Sequence, residues 1–390
     1  MTLKKLQITL CLLILAGCIF SCKKDEFIGP RLVGAGPNFD KNIKLEVSQN
    51  DEKLDSDGEG DLYRIVFSNN DTATFSSTKF SDSVSWSITI TGYTSGAVAK
   101  FSGLSDQISG ESATWSFGRS SNEFFFQKNE LIKCDLKIVG LDTLYSIDSL
   151  LFRMPYNWDG KTYNGVRHTV VDFFDEDKPS SGQGLDASSP DRLDADVVLS
   201  VGDVNHIEGS GALLMSGTDL NNNGWISSKN HDRLVELASS AQLSSMPIDS
   251  NAVASELYFN LYVYGDSDYP GASIQFRVYE AEIDSFNSVD QLREFANQEL
   301  STLGDHVDNS DTWIYNVKID WEGWKLVSIP YDKFKINNEP LGNGNKIKEP
   351  KKISAMMVSL LSDPTPGLEL KTYIDYLTIT DGGLPQFKQK

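Results

Sequence analysis

Strict alternation of apolar side chains is the feature that most limits what this chain can fold into. Three stretches of the C-terminal half show it: ELYFNLYVYG at 256–265, ASIQFRVYEAEI at 272–283 and WKLVSIPY at 324–331. Successive side chains of a β-strand point to opposite faces, so a period of two predicts strands with one buried face. The expected buried residues of the first two stretches are Leu257, Phe259, Leu261, Val263, Ile274, Phe276 and Val278.

The N-terminal half contains shorter stretches of the same kind, among them LYRIVF, SWSITITG, EFFFQ and IKCDLKIVG. Clusters of Gly, Ser, Asn and Asp separate them at intervals typical of a β-sandwich. We therefore predict an all-β protein, with a sandwich at 41–152 that resembles an immunoglobulin-like spacer around VSWSITITG and ATWSFG. A linker at 153–168 and a larger β-sandwich at 169–383 follow. Tyr156, Trp158 and Tyr163 of the linker either form a binding loop or pack between the domains.

One segment of the second domain predicts a helix, SVDQLREFANQEL at 288–300. Ser288 and Gln291 stand at capping-box spacing, and an apolar stripe follows them. A single helix between strands indicates an insertion into a sandwich and not a parallel βαβ unit.

The N-terminus has the order of a secretory signal: Lys4 and Lys5, an apolar run, then small residues before a cysteine. LAGC, ending at Cys18, and SCKKDE, starting at Cys22, resemble bacterial lipoprotein signals. The second resembles the form found in Bacteroidetes, in which charges after the lipidated cysteine accompany export to the outer face of the outer membrane. We expect removal of 1–21, lipidation of Cys22 with Cys18 as the alternative, and a flexible tether at 22–40.

Charge and cysteine content exclude several classes of protein. The formal net charge of −20 disfavours nucleic acid as a partner, because an acidic surface repels phosphate. With the signal removed and Cys22 lipidated, Cys134 is the one remaining cysteine, so a disulfide framework is excluded. Cys134 shares the alternating face of Ile132 and Leu136, which predicts a buried, inert thiol.

Four segments of the second domain resemble the galactose-binding-like jelly roll of many carbohydrate-binding modules: VVDFFDEDK, EGSGALLMSG, EGWKLVSIPYDKF and YIDYLTIT. The resemblance implies that the last strand lies beside the first and that Asp375 stands at the family's aspartate position. It also implies a structural calcium, held by Asp375 with Asp172 or Asp175 and by backbone carbonyls. The alternative is that these carboxylates bind no metal and are solvent-exposed charges at strand ends.

Polar and aromatic side chains form the expected second face of the alternating strands. If 256–265 and 272–283 pair in a hairpin, one face carries Tyr258, Tyr262, Gln275, Arg277 and Tyr279. Sugars bind to such surfaces, because their C–H faces lie on aromatic rings while their hydroxyls need directed donors and acceptors. The alternative is that the helix at 288–300 covers this face.

The segment GTDLNNNGW contains half of a second calcium pattern. Asp219, Asn221, Asn223 and a following glycine match the start of a calcium loop, but the closing glutamate is missing. A tight Asx-rich turn explains the same residues. Trp225, the last residue of this segment, is a candidate for stacking on a sugar.

Catalytic motifs are missing from the sequence. The four histidines have no zinc-binding spacing, and no nucleophile elbow, P-loop or dinucleotide glycine pattern is present. The resemblances imply a lipid-anchored surface protein that captures polysaccharide without chemistry, beside an outer-membrane glycan transporter. An adhesive or structural lipoprotein that binds protein is the alternative, and a glycoside hydrolase is the third hypothesis.

Overall fold

The computed structural model of the protein describes residues 35–36, 39, 42–49, 52–53, 63–66, 72–175, 197–202, 206–217, 225–229, 248–249, 251–269, 272–280, 311–337, 344–361 and 369–389. Within these ranges, no helix is long and apolar enough to cross a membrane. Several predicted features lie outside them: Cys18 and Cys22, the calcium-loop residues Asp219, Asn221 and Asn223, and the helix at 288–300.

The N-terminal half consists of two β-sheets. The described strands are β1 Leu45–Gln49, β2 Glu52–Lys53, β3 Tyr63–Val66, β4 Thr72–Ser77, β5 Val84–Gly92, β6 Val98–Ser105, β7 Thr114–Ser116, β8 Glu130–Ile138 and β9 Leu144–Met154. One sheet has the order β2-β1-β4-β7 and the other β3-β9-β8-β5-β6. Neighbouring strands are antiparallel except β3 and β9, which are parallel.

Both N-terminal sheets contribute to one apolar core. Phe75 and Trp115 of the first sheet lie in the same buried cluster as Trp86 and Ile88 of the second. Cys134 is fully buried there, and burial raises the pKa of its thiol. The prediction of an inert core cysteine is therefore confirmed, because thiolate formation is suppressed.

The C-terminal half also has two sheets. Its described strands are β10 Thr162–Tyr163, β11 Val166–Asp172, β12 Val197–Gly202, β13 Ala212–Gly217, β14 Trp225–Lys229, β15 Leu257–Gly265, β16 Ser273–Glu280, β17 Asp311–Lys318, β18 Gly323–Pro330, β19 Lys335–Ile336, β20 Ile353–Leu361 and β21 Leu370–Asp381. Among the described residues, two short 3-10 turns occur, at Tyr331–Lys333 and Pro350–Lys352. The larger sheet has the order β10-β11-β21-β13-β12, with β15 pairing β21 and β18, and the other has the order β14-β20-β16-β17-β19.

The core between these two sheets confirms the predicted apolar faces. It contains the alternating residues Leu257, Phe259, Leu261, Val263, Ile274, Phe276 and Val278. The last strand, β21, lies antiparallel to β11, the first strand of the predicted second domain, as the family resemblance implied, because Thr169 pairs with Ile379. The fold class is thus the predicted all-β one, with two sheets in each half.

An aromatic junction joins the two halves. Trp158 of the predicted linker is buried, and its ring centroid lies 4.8 Å from that of His168 and 5.6 Å from that of Phe387. Of the two alternatives for the linker aromatics, packing between the halves is the one observed, because the Trp158 ring centroid also lies 6.0 Å from that of Phe117 in the N-terminal half. Residues predicted to belong to the tether also pack, because Phe39 is buried against Phe80.

Candidate functional site

The predicted tyrosine hairpin does not form. Tyr258 and Tyr262 lie on β15, which pairs with β18 and β21, whereas Gln275, Arg277 and Tyr279 lie on β16, which pairs with β17 and β20. The two strands therefore belong to different sheets. Their outer faces point away from each other across the core, so these five residues do not share one surface.

Tyr262 is enclosed at the junction and offers no ring to a ligand. It is fully buried, and its ring centroid lies 5.8 Å from that of Phe125 in the N-terminal half. Burial raises the pKa of its hydroxyl well above the usual range, with Glu123 and Asp375 adding to the effect. Tyr258, at the other end of β15, is half-buried opposite Pro330 and Thr380.

The predicted residues on β16 lie on a buried polar face. Gln275 donates to Asn316 Oδ1 at 3.0 Å and accepts from Arg277 Nη2 at 3.2 Å. Gln275 and Tyr279 are buried, and Arg277 is half-buried. Trp225 begins β14, where it pairs with Leu361, and Leu361 in turn pairs with Ser273 at the start of β16. These contacts hold the predicted polar groups in place, but they leave little of Gln275 or Tyr279 accessible to a sugar.

A second group of aromatic side chains is open to solvent in part. We call it the aromatic platform, and it consists of Tyr264, Tyr269, Trp324 and Tyr373 with Lys371, all half-buried. Tyr264 ends the outer face of β15 and pairs directly with Trp324 of β18. Tyr373 lies on β21 beside Ile374, which pairs with Val263 in the core, so the tyrosine is on the opposite, outer face.

The rings of the platform meet at steep angles. The centroid of Tyr264 lies 5.5 Å from that of Trp324 at an interplanar angle of 71°, and 5.9 Å from that of Tyr373 at 84°. Edge-to-face contacts of this kind stabilise ring pairs and keep their rotamers fixed. The result is a preorganised, angled aromatic surface on three neighbouring strands, where strand geometry positions side chains more firmly than a loop would.

A lysine borders the platform. Lys371 Nζ lies 5.5 Å from the ring centroid of Tyr269 and 5.6 Å from that of Tyr373. These contacts hold the ammonium group at the ring faces, where it can donate hydrogen bonds to a ligand that stacks beside it.

Chemically, the platform combines the two interactions that sugar recognition needs. Half-exposed rings accept the C–H face of a pyranose, and phenol, indole and ammonium groups supply directed hydrogen bonds. The alternation of 256–265 puts Tyr264 on the same face as Tyr258 and Tyr262, but Tyr264 was not among the predicted contacts. Trp324 and Tyr373 were missed because their approach to Tyr264 depends on pairing between distant strands.

The carboxylates predicted for calcium lie where β21 meets the junction. Asp375 is fully buried, and its Oδ2 accepts from the N–H groups of Ile207 at 2.8 Å and Glu208 at 3.2 Å. Burial raises the pKa of Asp375 well above its usual range, and Glu208 and Asp175 raise it further. Asp172 Oδ1 accepts from the Phe174 N–H at 2.9 Å.

Glu208 is a member of this carboxylate group that the sequence analysis did not select, although it begins the quoted segment EGSGALLMSG. Burial, followed by repulsion from Asp175, raises the pKa of Glu208 to about 8. Among the described residues, neither Glu208 Oε2 nor Asp375 Oδ1 has a hydrogen-bond partner, and both atoms are buried.

These two oxygens fit the implied calcium in their chemistry. A buried carboxylate oxygen without a partner is unfavourable, and hard oxygen ligands are those that calcium prefers. No three His, Cys, Asp or Glu side chains converge in a metal-binding arrangement within the described ranges. Backbone carbonyls and water would therefore have to supply most of the roughly six to eight ligands that calcium takes.

Comparisons with known proteins give only distant matches. No protein-family model matches the chain, and a search of curated proteins gave no match. A family 11 carbohydrate-binding module from Clostridium thermocellum, solved with a beta-1,3-1,4-mixed-linked tetrasaccharide, is 14% identical over 50% of this chain and 88% of its own, with a TM-score of 0.29.

Two further solved structures are similar at the same low level. The CBM22-1 xylan-binding domain of Paenibacillus barcinonensis Xyn10C is 14% identical, covers 55% of this chain and 96% of its own, and has a TM-score of 0.27. The glycoside hydrolase domain of Endo-D from Streptococcus pneumoniae is 9% identical, covers 47% of this chain and 20% of its own, and has a TM-score of 0.24. The function proposed next therefore rests on the geometry of the chain itself.

Proposed function

We propose that this protein binds carbohydrate without catalysis and that the aromatic platform is the contact surface. The observation that carries the proposal is the set of partly exposed rings of Tyr264, Trp324 and Tyr373, fixed on adjacent strands with Lys371 beside them. Stacking supplies affinity for the ring faces of sugars, and the polar groups supply direction. The platform replaces the predicted set on β15 and β16 as the first surface to test, while Trp225, Gln275 and Arg277 remain a secondary candidate.

The cellular role that we propose follows from the N-terminus. A lipid anchor at Cys22, or at Cys18, would hold the protein on the outer membrane facing outward, close to a glycan transporter. Weak single sites gain apparent affinity when many copies share one surface. Metabolic labelling with a fatty acid analogue tests the anchor, because Cys22→Ala should abolish labelling if Cys22 is the acceptor, and Cys18→Ala should do so if it is Cys18.

Calcium is the cofactor that we propose, in a structural role. Asp375 and Glu208 would hold it, with Asp175 next to them, and its charge would neutralise carboxylates that otherwise lie buried together. The proposed ligand set thus differs from the family expectation in the addition of Glu208.

Binding to the platform can be tested with the protein from residue 23 onward. Native gels containing a panel of plant, fungal and host polysaccharides should show retardation by at least one of them, and calorimetry should give its Kd. Each of Trp324→Ala and Tyr373→Ala should weaken that Kd about tenfold, since loss of one well-placed ring contact costs about 1–2 kcal/mol. Tyr93→Ala is the matched control, because Tyr93 is 60% exposed in the N-terminal half.

Two results would contradict the platform. Free migration of the folded protein through every gel would favour the adhesin hypothesis. Binding that survives both platform variants but is lost in Arg277→Ala would move the site to the outer face of β16.

A further inference from the structure

Residues 206–211 connect the two halves of the molecule. The Ile207 side chain is buried in the N-terminal core cluster, and its carbonyl accepts from the Phe125 N–H at 2.8 Å. Next to it, His206 Nε2 lies 2.6 Å from Gln127 Nε2. The 206–211 segment, which precedes β13 of the C-terminal half, therefore supplies the hydrogen bonds on which residues 125–127 dock.

Two carboxylates of the C-terminal half hold this segment in place. Asp375 Oδ2 accepts from the N–H groups of Ile207 and Glu208. Asp175 Oδ1 accepts from those of Ser210 at 2.5 Å and Gly211 at 3.1 Å. The backbone conformation of 206–211 thus depends on the positions of these two carboxyl groups.

Two further carboxylate oxygens lie next to this segment without hydrogen-bond partners among the described residues. They are Asp375 Oδ1 and Glu208 Oε2, and both are buried. A cavity of about 530 Å³ lies beside Glu208, and residues of both halves line it, including Gln127, Lys128 and Asp175. Such a cavity gives water and a small ion a route to Glu208.

We propose that a hard divalent cation bound between Asp375 and Glu208 couples metal binding to the docking of the two halves. This inference rests on the calcium proposal and adds that the metal acts on the 206–211 segment. The cation draws the Glu208 and Asp375 carboxylates together, which fixes the segment and with it the Ile207 carbonyl. The acceptor for the Phe125 N–H is then held in place, whereas without the cation the two unpartnered oxygens leave Glu208, and with it the segment, less firmly fixed.

Hydrogen–deuterium exchange of the full mature protein tests the coupling directly. Calcium at millimolar concentration, compared with chelator, should slow exchange of the peptide containing the Phe125 amide at least fivefold. The Phe75 amide, which donates to the Ala113 carbonyl inside the N-terminal half, is the internal control and should exchange equally in both conditions. Glu208→Gln should remove the calcium effect, whereas Glu256→Gln, an exposed glutamate, should keep it.

Terbium luminescence in the same samples separates the two proposals. Terbium binding together with slowed Phe125 exchange supports the coupling, including when Glu208→Gln fails to fold, because the wild-type comparison stands alone. Terbium binding with unchanged Phe125 exchange would overturn the coupling and leave the metal site intact. Neither luminescence nor protection would overturn both.

Discussion

A single buried histidine ties local chemistry to the stability of the junction. His168 Nε2 accepts the Gln386 N–H at 3.1 Å, and the imidazole packs between Trp158 and Phe387. Burial lowers the pKa of His168 from 6.5 to about 4, although hydrogen bonds from the imidazole to the backbone of Lys161 and Val166 oppose the shift. The folded protein therefore favours the neutral imidazole, since protonation of Nε2 would remove the acceptor for the Gln386 N–H.

Stability should consequently depend on pH through this residue. The unfolded chain takes up the proton near pH 6.5 and the folded chain only near pH 4. The contribution of His168 to the free energy of unfolding is therefore complete above pH 6.5 and is lost as the pH falls from 6.5 to 4. The loss at the acid end is roughly 3 kcal/mol. Urea denaturation at several pH values should show a slope between pH 4 and 6.5 that is shallower in His168→Gln. Equal slopes in both proteins would mean that other groups cause the dependence.

At the scale of elements, the sequence indicates which face of a strand is buried but not which strands pair with each other. Alternation identified Phe259 and Phe276 as core residues, because burial on one side of a strand leaves a local pattern. Pairing leaves no such pattern: β15 pairs with β18 and β21, which lie far along the chain, and not with β16. Tyr262 and Tyr264 look equivalent in the sequence, yet only Tyr262 is enclosed, because Phe125 from the other half packs on it.

Glu280 shows how one side chain joins several elements. Its carboxylate, at the end of β16, accepts from Trp313 Nε1 at 2.9 Å, the Tyr331 hydroxyl at 2.8 Å and the Glu349 N–H at 2.6 Å. Glu280→Ala would leave three donors without an acceptor, so we expect a loss of about 3–5 kcal/mol in the free energy of unfolding. Urea denaturation measures it. The exposed Asp332 is the matched control, and Asp332→Ala should change stability by less than about 0.5 kcal/mol.

At the scale of the whole molecule, the segment after β21 returns to the N-terminal half. After β21, Lys388 forms a β-bridge with Ser120 and an ion pair with Glu123, and the Gln389 N–H donates to the Ser120 carbonyl at 2.8 Å. The predicted second domain ends at 383. That boundary therefore leaves out Lys388 and Gln389, which follow β21 and contact the N-terminal half. No local pattern in the sequence indicates this return, because its apolar anchor is one residue, Phe387.

Phe387 should make the two halves unfold together. It is 2% exposed, and its ring centroid lies 5.2 Å from that of Tyr376 and 5.7 Å from that of Phe125, so it contacts both halves. Phe387→Ala removes these contacts and leaves a cavity at the junction, for which we expect a loss of about 3–5 kcal/mol. Calorimetry should show one transition in the wild type and two in the variant, since each half keeps its own core. Leu384→Ala, at a position 52% exposed, should behave as wild type. A single transition in Phe387→Ala would show that contacts elsewhere in the junction suffice to couple the halves.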